Sequence, residues 1–180
     1  MTRLLVLGIL DMQPMSGYDI KRMLQLNDAE RWGGVLIGSI YHAINKLDEE
    51  GFIEISNIEQ TGHRQKAIYQ ITPAGQEHLK ELVYSSLQKI SVCYPSTFYS
   101  GLSLSGKLTK DETYRAVTEQ LQLVSNEEQS LKHGWEAKGK AFQNHIPPMT
   151  KLIFDHMFSI IRLQQEFLQN ILALLDNTQE

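Results

Sequence analysis

A change of hydrophobic period at Gly51 constrains the fold of this chain more than any other feature. Before it, Ile37, Ile40, Tyr41, Ile44 and Leu47 recur at helical spacing, the mark of a helix with one buried face. Gly51 ends that pattern, as glycine does where a helix must turn into a left-handed conformation. After it, Phe52-Ile53-Glu54-Ile55-Ser56 and Ala67-Ile68-Tyr69-Gln70-Ile71 are rich in β-branched and aromatic residues, which suit strands. Between these runs lies the polar segment 57–66, with Gly62 in its middle. The spacing predicts an antiparallel hairpin with a long tip.

Helices flank this hairpin. Leu4-Leu5-Val6-Leu7-Gly8-Ile9-Leu10 fits a buried strand or a buried helix, and the helical pattern that follows favours the helix. Ser16 can cap a helix start, Asp19 suits its positive end, and Ile20, Met23 and Leu24 form its apolar face. That pattern stops near Asn27 and Asp28. Thr72-Pro73 opens another helix, with Leu79, Leu82, Val83 and Leu87 inward. It fades near Cys93, and Tyr94-Pro95-Ser96-Thr97 reads as a boundary, giving domains 1–94 and 95–180. The second domain shows only helical patterns. Phe98 to Leu104 is a short piece. Thr109 and Glu112 match a capping box that starts a helix to about Ala141, with Tyr114, Val117, Leu121, Val124 and Leu131 inward. A last helix from about Met149 to Leu175 carries a wide apolar face: Ile153, Met157, Ile160, Ile161, Leu168, Ile171, Leu172 and Leu175.

Composition removes several classes. Hydrophobic residues are 42% of the 180 and charged ones 21%, so the chain is no disordered tail. One cysteine, Cys93, excludes an internal disulfide framework and any multi-cysteine zinc site. No uncharged apolar run approaches the ~20 residues of a membrane span, and the start lacks the length of a secretory signal, so a cytoplasmic location is expected. The scattered histidines, His156 among them, have no metal-ligand spacing. Phosphate-loop, dinucleotide, zinc-protease and serine-hydrolase motifs are all missing. Neither an enzyme nor a cofactor is expected. The net charge is −4, shared evenly by both halves, which is opposite to the basic balance of many nucleic-acid-binding domains.

Helix, helix, helix, hairpin, helix is the order of a winged helix-turn-helix. Four pieces give the resemblance a family: Leu7-Gly8-Ile9-Leu10; Met15-Ser16-Gly17-Tyr18-Asp19-Ile20; Ile40 through Ile53; and Ala67-Ile68-Tyr69-Gln70-Ile71-Thr72-Pro73-Ala74-Gly75. Residues 4–87 resemble the PadR family of bacterial transcriptional regulators. Phe98-Tyr99-Ser100-Gly101-Leu102-Ser103-Leu104, followed by Leu108-Thr109-Lys110-Asp111-Glu112, is similar to the virulence-activator branch of that family. The resemblance implies a mainly α fold with a small β-hairpin. It also implies a C-terminal helical, coiled-coil-like domain that pairs two subunits, with double-stranded DNA as partner. At Leu36 and Ile37 the chain departs from the family, which often has polar or small residues there; two apolar residues make a poor helix cap.

A helix fits the major groove when one face locks into its domain and the other stays free. Ser39, His42, Ala43 and Lys46 fall at i, i+3, i+4 and i+7 and are expected to face the groove together. Tyr41 is either a core aromatic or, as the resemblance implies, a phosphate contact through its hydroxyl; one ring can do both. His63, Arg64 and Lys66 make the hairpin tip locally basic, with no acidic residue from Gln60 to Gln76. Arg64 suits a narrow minor groove. Ser16 and Tyr18 could hold a further phosphate at a helix N-terminus.

Blander readings stand beside these. The Ser39–Lys46 stripe could be a plain solvated face, and the hairpin tip merely polar. Cys93 reads as a small buried hydrophobe before a redox sensor. Trp32 and Trp135 could line an aromatic effector pocket, although core or subunit packing is the commoner use. The expected function is a homodimeric regulator on a pseudo-palindromic operator. A protein-interaction module built on the same fold is the alternative, together with a repressor responsive to a small molecule.

Overall fold

The structure is a computed structural model that describes all residues except Asp28, Gly62, His63, Ser91, Cys93 and 178–180; for Arg31, Thr61 and Arg64 it describes the backbone. His63 and Cys93, both singled out from the sequence, therefore lie outside the described residues. The chain divides into two compact units, 1–92 and 93–180. The first contains α1 (Thr2–Met12), β1 (Met15–Ser16), α2 (Gly17–Leu26), α3 (Ala29–Gly33), α4 (Ser39–Glu49), β2 (Ile53–Thr61), β3 (Arg64–Ile71) and α5 (Pro73–Leu87). The second contains α6 (Ser96–Ser103), a 3-10 turn (Ser105–Lys107), α7 (Lys110–Ala141) and α8 (Pro148–Asn177).

Local chemistry sets the ends of these elements. The Ser16 hydroxyl accepts the Asp19 N–H at 3.2 Å, capping α2. Thr72 accepts the Gly75 N–H at 3.0 Å, with Pro73 in the first helical position of α5. Gly51 turns the chain out of α4 at φ +76°, a backbone state that strains any residue with a Cβ. At the other end of α4 the N-cap is Gly38, which offers no side chain. That is the weak start expected from Leu36 and Ile37.

The winged helix-turn-helix packs around one core. Val6, Leu7 and Leu10 of α1 meet Ile20 and Leu24 of α2, Ile40, Ile44 and Leu47 of α4, and Ile53 of β2. Leu79 and Leu82 of α5 pack against this cluster, whereas Val83 and Leu87, expected on the same face, are exposed. α3 was not legible in the sequence: five residues are too few to show a helical period.

The sheet differs from a simple hairpin in two ways. It has three antiparallel strands in the order β1-β3-β2, with Met15 opposite Tyr69 and Ser16 opposite Ile68. A two-residue strand has no alternation to read. The wing is also strand almost to its tip, pairing out to Thr61 opposite Arg64 where a long loop was expected. Residues 57–60 are exposed, so backbone pairing holds them without an inward face, and no apolar alternation marks them. A bulge between Ile55 and Asn57 separates this outer part from the root, and Ser56 donates to the Ile68 carbonyl there at 3.2 Å.

In the second unit the capping box is complete. Thr109 Oγ1 accepts the Glu112 N–H, and the Glu112 carboxylate accepts the Thr109 N–H at 2.8 Å. α7 and α8 pack on each other. Gln165 reaches Glu128 at 3.0 Å and Trp135 lies against Phe154 with centroids 5.2 Å apart, so the two helices run antiparallel. Val117, Ile161 and Leu168 are its buried apolar residues among those described, and Tyr114, expected inward, is exposed. Phe98 and Tyr99 of α6 both meet Phe167 edge to face.

Candidate nucleic-acid interface

α4 has a locked face and a free face, but the free face is rotated from the expected stripe. Tyr41, His42, Asn45, Lys46 and Glu49 are exposed. Ala43 is 5% exposed and belongs to the core, so it does not face a groove. On a helix turning about 100° per residue, Ala43 sits only about 40–60° from Leu47 and Ile40, inside the arc they bury. Asn45 takes the place the sequence reading gave to Ala43. Centring the free face opposite Ile37, Ile40, Ile44 and Leu47 would have found it. Ser39 lies at the edge, half-buried. Its hydroxyl donates to the Leu36 carbonyl at 2.7 Å and stands 3.1 Å from Thr2 Oγ1, which ties the start of α4 to α1.

The start of α2 and the root of the wing meet beside this face. The Tyr41 ring packs over Gly17, where a Cβ would lie 3.1 Å from Cε1, and Tyr41 is still 47% exposed. Tyr18 is exposed next to it. Ser16 is only 2% exposed. Its hydroxyl donates to the Asp19 carboxylate at 2.6 Å, so it serves the fold and is unavailable to a phosphate.

The candidate cations are not idle. Lys66 Nζ lies 2.8 Å from Asp19 Oδ2 and 4.0 Å from Glu59. Lys46 Nζ lies 2.8 Å from Glu49 Oε2. These hydrogen bonds hold the Asp19 and Glu49 carboxyls below their ordinary range and the two lysines above theirs; the Ser16 hydroxyl adds to the effect on Asp19. Glu50, at the end of α4, forms a bidentate pair with Arg3 of α1. The acidic end of α4 is thus largely occupied within the chain. The basic wing read from residues 60–76 has acidic neighbours from elsewhere in the sequence, which no local window reveals.

Residues 6–81 match the model of the transcriptional regulator PadR-like family. The N-terminal unit is thus similar to PadR-like regulators over most of its length. No curated protein matches it. Among solved structures, Bacillus subtilis PadR in complex with operator DNA is 23% identical, with a TM-score of 0.78 over 96% of this chain and 98% of that one. The same protein in complex with p-coumaric acid is 20% identical, with a TM-score of 0.73 over 98% of each chain. The Vibrio cholerae virulence activator AphA is 18% identical, with a TM-score of 0.64 over 98% of each. These likenesses extend the shared fold beyond the PadR-like segment into the helical unit.

In that helical unit the expected pairing surface needs correction. Ile161 and Leu168 are buried inside the single chain, Leu168 completely, so they hold α8 on α7. Met157, Ile171, Leu172 and Leu175 are half-buried. Ile153 and Ile160 remain exposed, joined by Met149, Leu152, Leu163 and Leu174. The broad apolar face expected of this helix is split by the structure into two. A cleft of about 700 Å³ opens where Tyr94, Phe98 and Leu102 face Thr113, Val117 and Gln120. Neither Trp32 nor Trp135 lines it. Trp32 is half exposed and donates to the Asn27 carbonyl at 2.6 Å. Among the described residues no helix is long and apolar enough to cross a membrane.

Proposed function

We propose that this PadR-like chain is a sequence-specific regulator that binds double-stranded DNA as a homodimer on a pseudo-palindromic operator. The observation that carries the reading is the exposed face Tyr41–His42–Asn45–Lys46, on a helix whose other side is locked into the core of a winged unit. Such a helix enters the major groove, where side chains tell base pairs apart. His42 and Asn45 would read base edges. Lys46, the Tyr41 hydroxyl and Tyr18 would reach phosphates. The wing, with His63, Arg64 and Lys66, would follow the backbone or the minor groove. Phosphate contacts position the domain, and base contacts choose the sequence.

Pairing of two chains is favoured by the thin core of the helical unit. A pair of long helices that leaves Leu152, Ile153, Ile160 and Leu163 in solvent gains by burying them against a second copy. Two linked modules also bind more tightly than one, through effective concentration. Their recognition helices would meet half-sites about 34–36 Å apart.

Selection of bound fragments from a random DNA pool tests the reading. A repeated, inverted motif with half-sites one helical turn apart is expected. A pool that stays random overturns it in favour of the protein-interaction module. The complex of Bacillus subtilis PadR with p-coumaric acid and the cleft beside Phe98 together favour a second layer, in which a small aromatic effector occupies the helical unit. Calorimetric titration with p-coumaric acid checks it, and the absence of any binding heat would count against it.

A further inference from the structure

A net charge of −4 is an awkward property for a DNA-binding chain, and the paired lysines give it a use. Lys66 and Asp19 are 47 residues apart in sequence, on the wing and on α2, yet their charged atoms lie 2.8 Å apart. Asp19 is not a loose surface carboxylate. Ser16 donates to it at 2.6 Å, and its own backbone N–H is fixed on the same hydroxyl. Lys46 and Glu49 repeat the arrangement on α4, one helical turn apart and 2.8 Å between charges. In both pairs the ammonium already has an anionic oxygen at hydrogen-bond distance.

We propose that Asp19 and Glu49 determine specificity by acting through Lys66 and Lys46: each carboxylate holds the ammonium that any DNA backbone would otherwise take. This inference rests on the DNA-binding reading above. Sequence-independent affinity comes from lysine and arginine neutralising phosphates and releasing counterions. Exchanging a carboxylate for a phosphate on the same ammonium returns little of that gain, so DNA of arbitrary sequence is held weakly. A cognate site adds base contacts from α4 and wins the exchange. The Lys46–Glu49 pair is solvent-exposed and the Lys66–Asp19 pair half-exposed, so both remain within reach of water and can be opened, which suits a restraint that must yield to the right sequence. The two acidic residues are positioning residues for their lysines and touch no DNA themselves.

The test is fluorescence anisotropy on the full chain across a range of salt, with a duplex of scrambled sequence and a duplex selected by the wild type. Asp19→Asn keeps the Ser16 contact and the helix cap, and Glu49→Gln alters an exposed position. Each variant is expected to bind the scrambled duplex about twofold to fivefold more tightly. The salt slope should steepen by about one unit for each lysine freed, while the preference for the selected duplex falls. Adding Lys66→Met to Asp19→Asn should return both slope and affinity to wild-type values, which a purely structural role of Asp19 would not produce. If the wild type binds its selected duplex but both variants hold the scrambled one no better, the restraint is overturned and the DNA-binding reading stands. If the variants gain on scrambled DNA although the wild type selects no sequence, the restraint holds and the sequence-specific reading falls. If neither form binds any duplex, both are overturned.

Discussion

Gly75 comes so close to Phe52 that a Cβ added to it would lie 2.0 Å from the Phe52 carbonyl oxygen. The same carbonyl accepts the Thr72 N–H at 3.1 Å. The first turn of α5 is therefore seated directly on the strand that leaves α4. Gly75→Ala forces backbone apart from backbone, which no rotamer change relieves. We expect a loss of about 3 kcal/mol, read as a lower urea midpoint at unchanged slope. A midpoint equal to wild type would show that this contact is not tight.

Asn45 carries a different kind of prediction. An asparagine that meets an adenine edge with two hydrogen bonds discriminates by about 1–3 kcal/mol. Asn45→Ala should relax one position in the selected motif and leave the salt slope unchanged. Sequencing the bound pool for the variant checks this, and a motif identical at every position removes Asn45 from the reading face.

Arg64→Ala should do the reverse. Loss of one phosphate-neutralising cation weakens binding to every sequence and lowers the salt slope by about one unit. Lys46→Ala should also weaken binding without unfolding the chain. Thermal melting confirms folding in both, and anisotropy reads the slope.

Two residues of the same long helix, Leu168 and Ile160, should behave oppositely. Leu168, fully buried, leaves a cavity when cut to alanine, so Leu168→Ala should cost about 2–5 kcal/mol of stability. Ile160→Glu, at a position 54% exposed, should keep the helical content and turn the proposed dimer into a monomer in sedimentation. A dimer unaffected by Ile160→Glu places the pairing surface elsewhere.

Acid should loosen the start of α7. The Thr109 backbone N–H, and then its hydroxyl, hold the Glu112 carboxyl below the ordinary glutamate range. A carboxyl lowered by folding contributes stability above its unfolded pKa, and that contribution fades as pH falls through the lowered folded value. Glu112→Gln should therefore be less stable than wild type near neutral pH and show a flatter loss in acid. Chemical unfolding at a series of pH values tests it; parallel curves for the two proteins would defeat it.

Much of this architecture was legible because it depends on neighbours in sequence. Ser16, Thr72 and Thr109 act on amides three residues away, and Gly51 answers a local backbone demand. The order of the main helices and the hairpin followed. What was not legible depends on distance. Ala43 is the exception: its angle to Ile40 and Leu47 was in the sequence, and counting the stripe from Ser39 concealed it. Ile161 and Leu168 looked like a subunit surface because one sequence cannot say which half of a broad apolar face meets α7. Asp19 and Lys66 showed no relation at all until β1 laid the start of α2 along β3.

The bulge at Ser56 divides the wing into a root anchored by Ile53 and Tyr69 and a prong held only by its own ladder. Removing one residue from each strand beyond that point would shorten the prong and leave the globular body untouched. Paired deletions can accordingly tune how far this finger reaches from the winged unit, with no repair needed in the hydrophobic interior.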